Sequence, residues 1–187
     1  MSHGPRGDCT ILAVIPHKRW GGFAVLTRYG VPAGGFRTTS LRPFRCQADR
    51  VKALACRTRM ALARYGPALV VVAKAADDTE HAELADAVVA AARTLNVPAV
   101  QRDVDATRTA LLGAVRGDSQ EALGKHLVST IAPDLNAHLG RGEENRHYRR
   151  HAWNALALAA VEYERLFPGA MRTGGCPPEN LPVASPL

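Results

Sequence analysis

His147 and His151 stand four residues apart, and Asn154 follows one turn later, so a helix would set all three on one face. Imidazole nitrogens placed in this way suit a transition metal when a further donor approaches, and His17, at the end of an apolar strand, is the natural one. The plainer reading is a solvated His147 and a hydrogen-bonded His151, and it is preferred, so no metal is assigned. Asp8 precedes the first apolar strand, Asp77 and Asp78 follow Ala73, and Asp103 and Asp105 follow the Val97 to Val100 run, so these carboxylates are candidate ligands for a hard metal. Asp77 and Asp78, followed by Thr79 and Glu80, read instead as the cap and first turn of a helix, and Asp105 as the cap of the next. The cations Lys18, Arg19, Arg37, Arg108, Arg116, Lys125, Arg146, Arg149 and Arg150 are candidate phosphate ligands. Cys9, Cys46, Cys56 and Cys176 form no C-x-x-C pair, which argues against structural zinc and for reduced, mostly packed thiols.

These residues need elements to hold them. Thr10 to Pro16 is a continuous apolar run of central-strand length. Trp20 to Arg28 reads as a second strand across a hairpin, and Gly34 to Thr39 as a third. Residues 44–65 change to helical spacing, with Val51, Leu54, Ala55, Thr58, Ala61 and Leu62 in phase, and stop at Gly66-Pro67. Ala68 to Ala73 is a fourth strand. The helix after it carries the stripe Leu84, Val88, Ala91 and Leu95, and Val97 to Val100 is a fifth strand. Three helices follow: Asp105 to Gly113, one from an Asp118/Glu121 capping box to Ile131, and Glu143 to Phe167. The order predicts an α/β fold, a five-stranded mixed sheet with helices on both faces. The expected organisation is a flexible N-terminus at 1–9, one domain at 10–168, and a Gly/Pro-rich tail at 169–187.

In this order the chain resembles the RuvC family of Holliday-junction resolvases, within the RNase H-like superfamily. The resemblance runs over about residues 10–167. It is carried by Ile11-Leu12-Ala13-Val14-Ile15-Pro16, Gly35-Phe36-Arg37-Thr38, Pro67 to Ala73, Asn96 to Val100, the basic segment Arg108 to Gly113 with Lys125, and His151 to Ala159. The family implies Mg²⁺-dependent cutting of junctions in DNA recombination, with two ions clamped by carboxylates. Carried across, its ligand positions fall on Ile15, Ala73, His151 and Asn154. The resemblance alone implies a working nuclease, but two of these positions are apolar and one is an amide, so their chemistry points instead to a pseudoenzyme without metal cofactor. The segment after Ala73 is shorter than the family's and has no aromatic residue before Pro98, so junction opening and the usual dimer interface are not carried over.

The net charge of +7 favours a polyanionic partner. No apolar run spans a bilayer and no signal-peptide pattern opens the chain, so a cytoplasmic protein with no membrane partner is expected. The leading expectation is a nuclease-inactive protein that binds branched or structured DNA, such as a four-way junction, as a homodimer. One alternative is a scaffold that binds a protein partner through the former cleft or the C-terminal tail. Another is a divergent junction endonuclease rebuilt on the relocated aspartates.

Overall fold

The computed structural model describes residues 9–75, 78–113, 120–139 and 146–169. Five strands form one sheet, β1 (Ile11–His17), β2 (Trp20–Leu26), β3 (Phe36–Ser40), β4 (Leu69–Ala73) and β5 (Ala99–Arg102), in the order β3-β2-β1-β4-β5. The first three pair antiparallel, and β1, β4 and β5 run parallel. β1 is central and must be apolar on both sides. Its residues alternate between two layers, Ile11, Ala13 and Ile15 on one face and Leu12 and Val14 on the other.

Helices α1 (Gln47–Tyr65) and α2 (Thr79–Thr94) cover the Leu12–Val14 face through Leu54, Leu62, Leu84 and Val88. The opposite face carries α3 (Val104–Leu112), α4 (Gln120–Thr130), a 3-10 turn at Pro133–His138 and the long α5 (Arg146–Leu166). The predicted architecture therefore holds, including the stop of α1 at Gly66, whose left-handed φ of 54° closes the helix before Pro67. The 3-10 turn was not predicted. Of the fifth-strand prediction, only Ala99 and Val100 remain in β5: the Val97 N–H still bonds back to Ala92, so β5 starts late and runs on through polar Gln101 and Arg102. Leu95 caps α2 and is exposed, so it leaves the predicted stripe. Among the described cysteines, Cys46 and Cys56 are exposed and Cys9 is half-buried, which corrects the expectation of packed thiols. Among the described residues no helix is long and apolar enough to cross a membrane. Asp8, Asp77, Asp118, Cys176 and the tail from 170 lie outside the described residues, as do the side chains of Arg146 and His147.

Candidate functional site

β1 and β4 are in parallel register, with Val14 beside Val72. Ile15 and Ala73, the next residue on each strand, thus lie together at the carboxyl ends, where open α/β sheets place their ligands. Both are buried in the apolar layer under α5. On its other side Ile15 pairs with Gly22. A Cβ at Gly22 would overlap the backbone carbonyl of His151, so only glycine lets α5 approach the sheet this closely. That approach carries His151, and Asn154 one turn on, to the strand ends. Asn154 is buried, and its Oδ1 has no hydrogen-bond partner among the described residues.

His17 closes β1 and stands between two other imidazoles. Its ring centre is 4.8 Å from that of His151 and 5.1 Å from that of His81 on α2. The Arg19 N–H donates to His17 Nδ1 at 3.3 Å, which leaves the proton of a neutral His17 on Nε2, a donor. His81 Nδ1 lies 2.9 Å from Asp78 Oδ2. Asp78 is also the N-cap of α2, accepting from the Glu80 N–H at 2.9 Å, and it sits 3.8 Å from Lys18 Nζ. Burial lowers the pKa of His17, and the positive fields of His81, Lys18, Arg19 and Arg150 lower it further. The Glu80 N–H and the His81 hydrogen bond hold the Asp78 carboxyl below its usual range.

This is the RuvC-like RNase H fold. The structure of Thermus thermophilus RuvC superposes with a TM-score of 0.59 at 19% identity, covering 83% of this chain and 95% of that one. T. thermophilus RuvC in complex with Holliday junction substrate superposes at 0.60 with 18% identity, covering 90% of this chain and 99% of that one. The yeast mitochondrial Holliday junction resolvase Ydc2 superposes at 0.50 with 10% identity, over 85% of this chain and 82% of that one. No protein-family model and no curated protein matches the sequence.

The Mg²⁺ pair that the resemblance implies does not fit this donor set. Ile15 and Ala73 offer hydrocarbon, His151 an imidazole and Asn154 a neutral amide. Mg²⁺ is a hard ion held by carboxylates, and two dications need negative charge that these side chains lack. Asp78, beside His17 through His81, already holds His81, the Glu80 amide and Lys18. Among the described residues no three His, Cys, Asp or Glu side chains converge as metal ligands. Of the relocated aspartates, Asp103 caps α3, its Oδ1 accepting from the Ala106 N–H at 2.8 Å. Asp103, not Asp105, is the cap; Asp105 only occupies the first turn.

The structure divides the predicted phosphate ligands. Lys18, Arg19 and Arg150 are exposed and surround His17. Arg149 donates to the His138 carbonyl at 2.8 Å, fastening α5 to the 3-10 turn. Lys125 pairs with Glu121 on the exposed face of α4. Arg108 is only 7% exposed and is not part of the surface. Arg37 lies over the Phe23 ring, on the face covered by α1 and α2 and away from α5. Arg116 is outside the described residues, and Arg146 is placed only as the first residue of α5. Sequence reasoning missed His81, although Asp78-x-x-His81 at the start of a helix was a readable signal. It also missed Lys74, exposed immediately after Ala73.

Proposed function

We propose that this chain is a nuclease-inactive RuvC-like protein that binds branched or otherwise structured DNA, with four-way junctions as its preferred form, and does not cut it. One observation carries the reading: the strand ends hold hydrocarbon, imidazole and amide where a two-metal nuclease needs carboxylates, while Lys18, Arg19 and Arg150 gather around them. The fold's match to T. thermophilus RuvC bound to a Holliday junction supports the choice of substrate.

In this account the chain meets phosphate directly and needs no bridging ion. Lys18, Arg19 and Arg150 supply fixed charge, and His17 Nε2–H supplies a donor. The two-metal route fails for a physical reason: among the described residues the strand ends offer no carboxylate pair to hold the dications that would activate a water and offset the charge on the leaving oxygen. A homodimer would present two such clefts to two junction arms.

The test is a gel shift of a four-way junction, a duplex and a single strand, each with Mg²⁺ and with EDTA. The expected result is preferential retention of the junction, equal with and without the divalent ion and steeply weakened by salt. No junction binding at low salt would sink the reading.

A further inference from the structure

The positive charge of this chain is not concentrated at the strand ends. Residues 36–66 hold eight of its 24 Lys and Arg but only one of its 17 Asp and Glu. That surplus of seven equals the net charge of the whole protein, so the rest, with sixteen of each sign, is neutral. The eight are Arg37 on β3, Arg42 and Arg45 in the loop after it, and Arg50, Lys52, Arg57, Arg59 and Arg64 on α1. None of them pairs with a carboxylate among the described residues.

Three of them form a line. Arg50, Arg57 and Arg64 recur every seven residues, flanking the buried Leu54, Thr58, Ala61 and Leu62 along the seam between α1 and the β3 side of the sheet. Their guanidinium groups are anchored to backbone. Arg50 donates to the Phe44 and Arg45 carbonyls at 3.1 and 3.3 Å, Arg57 to Ser40 at 3.5 Å and Arg64 to Ala33 at 3.5 Å. Each uses one or two of its five N–H groups, and the others remain for an acceptor. Arg42 and Arg37 extend the seam, held over the rings of Trp20 and Phe23 at 4.5 and 5.5 Å. A merely solvating surface would mix both signs and favour lysine. This one is single-signed, and all but Lys52 are arginine, whose planar fork matches phosphate. Seven residues of helix advance about 10 Å, the axial length of three nucleotide steps on one strand of B-DNA.

We propose that the α1–β3 seam is a second DNA-binding surface, which takes the phosphate backbone of a duplex segment independently of the cleft at the strand ends. It shares no residue with that cleft, and one molecule can hold two DNA segments.

The experiment measures anisotropy of a labelled short duplex across a salt series, on a protein whose cleft is neutralised by K18Q, R19Q and R150Q. That protein is expected to bind the duplex still. Adding R50Q, R57Q and R64Q is expected to weaken binding about tenfold or more and to cut the salt slope by about 2.7, three phosphate contacts at about 0.9 each. Lysine at the same three positions should keep most of the slope, with the melting temperature checking that each variant is folded. The proposal is overturned if the cleft-neutralised protein binds no duplex, or if the three further changes leave affinity and slope untouched. Preference for polyglutamate over duplex would overturn it as well. Cleft neutralisation with no effect would count against the cleft reading alone, since the second step still tests the seam.

Discussion

At the scale of single residues, the decisive positions are Ile15, Ala73 and Asn154. Their places at the ends of β1 and β4 and on α5 were legible in the sequence because each element's pattern is strong, a buried strand or an apolar helix, while their part as ligand positions comes from the resemblance alone. If the positions are assigned correctly, the combined change Ile15→Asp, Ala73→Glu and Asn154→Asp, beside the existing His151, should create Mg²⁺ affinity where none is measurable, read by calorimetry. A folded triple variant without Mg²⁺ binding would refute the assignment. His17 makes a second prediction. Burial and neighbouring cations lower its pKa below the usual 6.5, so an unfolded chain takes up the proton first as pH falls. Its contribution to stability is thus complete above about pH 6.5 and declines on acidification towards its folded pKa. The melting-temperature difference between wild type and His17→Gln should shrink from pH 7 to pH 5. A difference independent of pH would show that His17 titrates alike in both states. The contact of His17 with His81 was not legible, because it depends on where α2 starts in space and no pattern local to either residue reports it.

At the scale of elements, the helix and strand types followed from periodicity, and their ends followed less well. Asp103 and Asp105 were equally plausible caps for α3, and only backbone geometry separates them. α5 is located by two contacts that no periodicity reveals. One is the close approach at Gly22. Gly22→Ala should push α5 from β2 and cost about 1–3 kcal/mol by denaturant titration, and an unchanged midpoint would mean that the helix shifts freely. The other joins β5 to α5: Glu162 is 1% exposed and is held by Arg102 at 2.8 and 3.1 Å, with Arg165 at 3.1 Å. The hydrogen bond to Glu162 raises the pKa of Arg102. Arg102→Met should cost about 2 kcal/mol, less than a fully buried pair because Arg165 remains and Arg102 is partly exposed. Adding Glu162→Gln should recover part of that loss, and no recovery would place the cost in packing instead.

At the scale of the whole molecule, the RuvC-like fold and the charge pattern are separate facts. The fold was legible from the order of elements. The distribution of charge was misread, because cations were sought near the ligand positions when the entire surplus lies in residues 36–66. Two of the residues expected at the cleft illustrate the error: Arg108 is buried, and Arg37 belongs to the other face. On the function proposed above, strand ends without carboxylates beside the exposed Lys18, Arg19 and Arg150 would hold DNA by its phosphates and leave it intact. The most direct test follows an end-labelled four-way junction, fully bound by wild-type protein, in Mg²⁺ and separately in Mn²⁺. The account predicts complete occupancy with every strand uncut. Metal-dependent incision at the junction, at a rate that follows occupancy, would contradict it.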